Sequence, residues 1–356
     1  MELNAWAFLD AFIIAAGLAF ICTPIAIWLA PKIGAIDVPK DGRRMHTKPI
    51  PRFGGLAIFV GTSLSLLWSL GDVPVYRGII IGGVLIYLLG IIDDLKNLPA
   101  KVKFLGQIGC ASVAYAFGVR IAFMTNHFLR DSHVFFPGVV SYLVTVLWIV
   151  GITNAVNLID GLDGLAAGVA AIASLCIAYA AYIHGYYSAT LAMLAIAGGA
   201  LGFLPFNFHP AKIFMGDGGS LFLGFMLANI SAVGAVKGST LVATIVPVFV
   251  LGVPIFDTAF AMIRRLVNHR PIMEADKGHL HHRLMQEGFG QTRTVLMLYG
   301  ISGIMGIAAV LLSRDLFVEM AGLLGIAAMY IYIFLTDANH PWIRIRNKGD
   351  KQGDKK

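Results

Sequence analysis

Asp93 and Asp94 stand side by side at the end of a strongly apolar stretch, Gly90-Ile91-Ile92, with Lys96, Lys101 and Lys103 close behind them. Neighbouring carboxylates repel, and the dipole at a helix C-terminus already disfavours negative charge, so such a pair persists where a cation or a proton donor uses it. Capping alone accounts for the position poorly. The lysines suit two readings equally: point charges for phosphate oxygens, or the usual enrichment of positive residues on the inner side of a membrane.

A second run, Asn154-Ala-Val-Asn157-Leu-Ile-Asp160-Gly-Leu-Asp163-Gly164-Leu165, sets amides and carboxylates at three-residue steps. On a helical or near-helical segment that spacing brings the side chains close to one face, where several hard oxygens can converge on one Mg²⁺ and its phosphates. A turn built of capping residues explains Asp163-Gly164 but leaves Asn154 and Asn157 without a purpose, and the loop of an EF-hand, which ends in Glu, is absent. A third run, Phe214-Met215-Gly216-Asp217-Gly218-Gly219-Ser220, precedes another apolar stretch and offers small residues and free amides at a helix N-terminus, an arrangement that attracts phosphate. Glycines this dense also serve close helix packing. Asp217, beside such an anion site, is easiest to understand with a divalent cation between it and the phosphates. The segment Asp276-Lys277-Gly278-His279-Leu280-His281-His282-Arg283 lacks the His-Glu-x-x-His spacing of a catalytic zinc site, so its histidines are expected to contact phosphate or sugar.

The elements that bring these residues together must be membrane helices. Of 356 residues, 58% are hydrophobic and 13% charged, too few polar groups to cover a soluble globule of this size. Cutting at charges, prolines and glycine clusters predicts about eleven spans of apolar sequence, near 8–30, 53–70, 76–92, 104–122, 138–153, 164–184, 186–204, 220–236, 240–263, 294–312 and 316–335. The fold class expected is therefore all-α: one polytopic integral membrane domain over residues 1–336, followed by a basic tail over 337–356 that lies mobile against anionic headgroups. With the N-terminus outside, only Arg77, Arg120, Arg130, Lys237 and Arg314 of the 27 Lys and Arg fall on the outer side, which places the tail in the cytoplasm. That asymmetry explains most of the net charge of +7, so nucleic acid is not a required partner. Cys22, Cys110 and Cys176 lie inside apolar stretches without paired or metal-ligand spacing and read as packing residues. Asp93, Asp94, Asp160, Asp163 and Asp217 all fall at the cytoplasmic ends of predicted spans, so one face of the membrane collects the acidic charge.

In combination these motifs resemble the polyprenyl-phosphate N-acetylhexosamine-1-phosphate transferases (glycosyltransferase family 4), which include the enzymes that start teichoic acid, O-antigen and common antigen synthesis. The carriers are His46-Thr-Lys48-Pro-Ile-Pro51-Arg-Phe-Gly54-Gly55, Asp93-Asp94, Asn154 to Leu165, Gly216 to Ser220, Pro254-Ile-Phe-Asp257 and His279-Leu-His281-His282-Arg283. The resemblance covers nearly the whole chain. It implies a bacterial inner-membrane enzyme that works on the cytoplasmic face and needs Mg²⁺, with Mn²⁺ as the alternative ion. Asn157 and Asp217 match the metal-coordinating pair, and Asp93 and Asp94 the catalytic acidic pair. Lys103 matches a phosphate-contacting lysine, and the histidine segment a nucleotide-sugar recognition loop. The full substrate-binding set is then Lys48, Lys103, Asn154, Asp160, Asp163, His279, His281, His282 and Arg283. Many members carry a third Asp three residues after the second, where this chain has Asn97.

The reaction implied is transfer of N-acetylglucosamine-1-phosphate from UDP-N-acetylglucosamine to undecaprenyl phosphate, with release of UMP. The histidine segment looks like that of the N-acetylglucosamine enzymes and unlike that of the enzymes using UDP-N-acetylmuramoyl-pentapeptide. Another UDP-N-acetylhexosamine is the alternative donor. Phosphoryl transfer asks mainly for positioning and charge stabilisation, which suits this residue list. Partners beyond the two substrates and the lipid bilayer are left open, a homodimer among them. A secondary transporter is the rival from another class, but it should gather polar residues near mid-bilayer in repeated halves rather than on one face.

Overall fold

The computed structural model of the chain describes residues 5–38, 49–126, 132–235, 246–267, 284–285, 288–314, 316 and 319–325. In chain order the described helices are α1 (Ala5–Leu29), α2 (Gly55–Leu70), α3 (Pro74–Lys96), α4 (Ala100–Ala116), α5 (Gly138–Ile159), α6 (Leu165–Ile183), α7 (Tyr187–Asn207), α8 (Gly216–Ala235), α9 (Val246–Val250), α10 (Gly252–Val267) and α11 (Gln291–Ser313). Residues 319–325 are also helical. Six of the apolar stretches, those of α1, α3, α5, α6, α7 and α11, are long and apolar enough to cross a membrane. Their outward residues remain apolar, as Trp6, Trp28, Leu88, Val139, Leu147 and Leu296 show, which is the pattern of helices facing lipid. Trp6 and Trp28 mark the two ends of α1 roughly 33 Å apart at 1.5 Å per residue, close to the thickness of the hydrocarbon layer, and the ammonium of Lys32 lies over the Trp28 ring, 3.1 Å from its centroid.

Two short antiparallel hairpins depart from the all-helical expectation. β1 (Ile36–Asp37) pairs with β2 (Ile50–Pro51), with Ile36 opposite Pro51, and β3 (Phe123–Asn126) pairs with β4 (Ser132–Phe135). The second hairpin begins at Phe123, just past the predicted 104–122 span, and that span is not helical to its end. α4 instead stops at Ala116, because Gly118 turns to φ +105° and the Gly118 and Val119 amides close back on the carbonyls of Tyr115 and Ala114. The span near 240–263 is likewise corrected: α9 ends at Val250 and α10 begins at Gly252. Pro254 has no N–H to give the turn before it, so the helix cannot run straight through. Of the last predicted span, 316–335, only residues 316 and 319–325 are described.

α8 organises the bundle. Leu221, Phe222, Leu223, Met226, Leu227, Ala228 and Asn229 along it are fully buried, and it packs against α2, α3, α5, α6 and α7. A helix enclosed on all sides does not need a lipid-matching surface, which lets its first turn hold Asp217. Glycines bring its neighbours close. A Cβ on Gly90 of α3 would stand 2.5 Å from the Cα of Gly218, and one on Gly55 of α2 would stand 2.5 Å from the Cα of Gly219. The dense glycines at 216–219 therefore serve close helix packing.

Candidate active site

The ends of α3, α5 and α8 and the start of α4 meet at one end of the bundle, and the charged residues meet with them. Three local features make this happen. α3 stops after Lys96 because Asn97 takes the left-handed conformation (φ 49°) and its N–H returns to the Asp93 carbonyl at 2.8 Å. Asn tolerates that backbone well, so the position where a third carboxylate was sought serves as a helix stop. Pro99 then begins α4, whose first turn carries Lys103 back over Asp93.

The second feature is a backbone staple between β2 and the approach to α8. The Phe214 N–H donates to the Pro51 carbonyl (2.8 Å), Gly54 donates to Phe214 (2.9 Å) and Gly55 to Met215 (2.9 Å). Arg52, between the stapled residues, is thereby held against Asp217. Its Nε lies 3.0 Å from Asp94 Oδ1 and one guanidinium NH₂ lies 3.2 Å from Asp217 Oδ1. The third is the α8 N-terminus itself. Asp94 accepts the Asp217 N–H on Oδ1 (2.9 Å) and the Gly218 N–H on Oδ2 (3.0 Å). The free amides anticipated for phosphate are thus capped by a carboxylate from α3. Gly216, at φ +73°, turns the chain into α8, and a Cβ there would collide with Asp94 Oδ2.

Asp93 and Asp94, one residue apart on a helix, point to different neighbours. Asp93 Oδ1 accepts the Leu98 N–H at 2.8 Å, and its Oδ2 lies 2.8 Å from Lys103 Nζ. Lys103 Nζ also lies 3.0 Å from Asp217 Oδ2 and 3.3 Å from Asn157 Oδ1. The other end of the Asn157 amide donates to Asp217 Oδ1 (3.0 Å) and to Ser220 Oγ (2.8 Å). Two cations, Arg52 and Lys103, hence face three carboxylates, Asp93, Asp94 and Asp217. Asp93 and Asp94 are nearly buried, their side chains 8% and 6% exposed, while Asp217 keeps 21%.

The remaining candidates divide. Asn154 pairs reciprocally with Gln107 of α4 (3.1 and 2.6 Å) and also donates to the Val150 carbonyl. Asp163 accepts from the Ala211 N–H (3.1 Å) and meets His209 Nδ1 at 2.7 Å. α5 ends at Ile159, so Asp160 and Asp163 fall in the turn beyond it; of this run Asn157 bonds directly into the cluster, while Asp160 stands within electrostatic reach of Arg52, Asp217 and Asp94. The Asp160 N–H closes back on the Asn157 carbonyl at 3.3 Å, and its side chain is half-buried just past the helix. Burial pushes its carboxyl up to about 7, with Arg52 opposing and Asp217, Asp94 and Asp163 adding to the rise. Lys48, His279, His281, His282 and Arg283 lie outside the described residues.

Sequence reasoning assigned no role to Arg52, Gln107, Ser220, Asn207 or His209. Arg52 had a signal, its place two residues before Gly54-Gly55. Asn207 had none: it ties the α5–α6 turn to the α7–α8 loop by accepting from Gly164 N–H (3.1 Å) and donating to the Ile213 carbonyl (2.9 Å).

The donor set around Lys103 Nζ consists of the oxygens of Asp93, Asn157 and Asp217. Among the described residues no three His, Cys, Asp or Glu side chains form a metal-holding group. Two carboxylates with one amide oxygen nevertheless suit Mg²⁺, a hard cation that takes few protein ligands and fills its other positions with water and phosphate oxygens. These residues fit the ion.

Fold and cluster together define a multi-pass helical membrane protein with a charged site at one end of its bundle, the opposite of the mid-bundle placement a transporter requires. The sequence model of glycosyl transferase family 4 matches residues 76–235, a stretch that contains Asp93, Asp94, Lys103, Asn157 and Asp217. The chain is 47% identical over 304 residues to the probable undecaprenyl-phosphate N-acetylglucosaminyl 1-phosphate transferase of Bacillus subtilis (strain 168), covering 85% of this chain and 84% of that one. Against the decaprenyl-phosphate N-acetylglucosaminephosphotransferase of Mycolicibacterium smegmatis it is 36% identical over 309 residues, with 79% and 76% covered. Against the phospho-N-acetylmuramoyl-pentapeptide-transferase of Anoxybacillus flavithermus it is 30% identical over 317 residues, with 80% and 93% covered. The chain belongs to glycosyl transferase family 4.

Proposed function

We propose that this protein transfers N-acetylglucosamine-1-phosphate from UDP-N-acetylglucosamine to undecaprenyl phosphate, releasing UMP, at the cytoplasmic face of the bacterial inner membrane. The observation that carries the reading is the 47% identity to the Bacillus subtilis transferase over 304 residues, in a chain whose family match spans the charged cluster.

The chemistry follows from what the cluster holds. Mg²⁺, held when bound by Asn157 and Asp217 beside Asp93, would supply positive charge that offsets the negative charge of the donor diphosphate. Lys103 and Arg52 bring further positive charge, and their N–H groups donate to phosphate oxygens. Asp94 has both oxygens engaged by the α8 amides and Arg52, so it positions Asp217 and does not meet substrate. Asp93 Oδ2 meets the Lys103 ammonium with the Asp217 carboxyl beside it, side chains that can move aside, so Asp93 is the carboxylate able to keep the acceptor phosphate unprotonated and aligned. An oxygen of the lipid phosphate attacks the sugar-linked phosphorus, the bond from that phosphorus to the oxygen bridging to UMP breaks, and UMP leaves with its electron pair. A phosphomonoester is already a competent nucleophile, so direct attack suffices.

The test is a donor panel. Purified protein with undecaprenyl phosphate and Mg²⁺ is given UDP-N-acetylglucosamine, other UDP-N-acetylhexosamines or UDP-N-acetylmuramoyl-pentapeptide, and UMP and the lipid product are measured. The first donor is expected to dominate. Efficient use of the muramoyl-pentapeptide donor refutes the assignment, whereas preference for another N-acetylhexosamine keeps the reaction class and corrects the sugar.

A further inference from the structure

Lys103 Nζ sits where three oxygens from three helices meet: Asp93 Oδ2 at 2.8 Å on α3, Asn157 Oδ1 at 3.3 Å on α5 and Asp217 Oδ2 at 3.0 Å on α8. These are the oxygens that fit Mg²⁺. One position cannot hold an ammonium and a divalent cation together, and like charges this close in a half-buried setting repel strongly. Arg52 differs. It approaches Asp94 Oδ1 and Asp217 Oδ1 from the β2 side and takes no oxygen that Lys103 uses. Removing Lys103 therefore vacates the three-oxygen position, while removing Arg52 only changes the charge next to it.

We propose that Lys103 is a resident counter-ion that keeps the three-oxygen position closed without metal, and that metal entry and ammonium release are one exchange. The flexible four-carbon stem of lysine makes the move feasible. The released ammonium needs a new anion, and the donor diphosphate, on the reading of function above, supplies it. The exchange thus makes metal and nucleotide-sugar bind cooperatively: the metal frees Lys103 for the diphosphate, and the diphosphate compensates Lys103 for the carboxylates it gives up. Linkage requires each ligand to strengthen the other by the same factor. Without substrate, the lysine also spares the protein the repulsion of Asp93 and Asp217 across an empty position.

The test is Mn²⁺ affinity, read by the loss of the free-ion paramagnetic resonance signal, for the wild-type protein and for Lys103→Met and Arg52→Gln, each with and without UDP-N-acetylglucosamine. In wild type the nucleotide-sugar should tighten Mn²⁺ binding about tenfold, within the usual range of coupling between sites. Lys103→Met should bind Mn²⁺ alone about tenfold more tightly than wild type, and its coupling to the nucleotide should fall towards none. Arg52→Gln, which leaves Lys103 on all three oxygens, should gain less in affinity for Mn²⁺ alone than Lys103→Met and keep the nucleotide coupling of wild type. A second measurement uses the unaltered protein, so that misfolding of a variant decides nothing. Acetylation of Lys103, quantified by mass spectrometry, should rise when Mg²⁺ is added alone and fall again with the nucleotide-sugar. Unchanged or weaker Mn²⁺ binding by folded Lys103→Met overturns the exchange, as does an equal gain in Arg52→Gln, failure of wild type to bind Mn²⁺, or protection of Lys103 by Mg²⁺ alone. Tighter Mn²⁺ binding in Lys103→Met together with no nucleotide coupling in wild type leaves the exchange standing and removes the proposed donor instead.

Discussion

At the residue scale, the cluster depends on Asp217 being shared. Arg52 reaches one of its oxygens and Lys103 the other, from segments far apart in sequence, and Asn157 fixes the orientation of the carboxylate between them. The acidic members were legible because carboxylates in an otherwise apolar chain need a reason to be there. Arg52 was only partly so: its place before Gly54-Gly55 is a signal, but an arginine in a loop beside a predicted span is also what the positive-inside pattern produces. Asn154 has a partner the sequence did not announce: its amide finds a complementary amide, Gln107, one helix away, and sequence spacing does not display such cross-helix partners. Two predictions belong here. Asp94→Asn should lower thermal stability by about 1–3 kcal/mol, the scale of weakened hydrogen bonds to a charged group, because Arg52 loses one of its two carboxylate partners and the α8 cap loses its charge. Thermal unfolding followed against Asp93→Asn, which should cost less, checks this. The second concerns Asp160, whose carboxyl is raised to about 7. A raised carboxyl binds its proton more tightly when folded than unfolded, so it subtracts stability progressively as pH climbs from the ordinary carboxylate range to about 7. Asp160→Asn should therefore be more stable than wild type at pH about 8 and differ little at pH about 4. Equal melting temperatures at both pH values would remove the burial argument.

At the scale of elements, the glycines set the distances on which the charges depend. Gly90 lies one helical turn before Asp94 on α3 and touches Gly218, the residue whose N–H Asp94 caps. Gly90→Ala inserts a methyl group where backbone atoms already meet, so α3 and α8 must separate. The expected cost is about 1–3 kcal/mol in stability, with a disproportionate loss of transfer because Asp93 and Asp94 retreat with their helix. Gly109, which has no neighbour within 4 Å of a Cβ, provides the control: Gly109→Ala should leave transfer within error and raise stability by about 0.5–1 kcal/mol, the helix-interior preference for Ala over Gly. Helix existence was legible from apolar length, but helix ends were less so. Pro254 and Gly118 were visible in the sequence, yet the kink at Leu251 and the hairpin after α4 depend on where the freed backbone groups find partners. That is tertiary information.

At the scale of the whole molecule, a fully enclosed α8 lets polar residues enter the bundle from one end while the outer helices present apolar surfaces. The prediction of sidedness follows from charge: in a background without native cysteines, Lys101→Cys should resist an impermeant external thiol reagent in intact cells, and Asp72→Cys should react. The reverse pattern would put the cluster on the side that lacks nucleotide-sugars. The central claim, that the junction of α3, α5 and α8 is where N-acetylglucosamine-1-phosphate moves to the lipid, is tested most directly by single-turnover transfer of radiolabel from UDP-N-acetylglucosamine to undecaprenyl phosphate. Wild type, Asp217→Asn and Asp93→Asn are compared at matched folded fractions. The account predicts transfer by wild type and a fall of about a hundredfold or more in each variant, the scale on which a single charge-stabilising group matters in catalysis. Transfer within about threefold of wild type by the folded Asp217→Asn protein, less than any such group contributes, would contradict it.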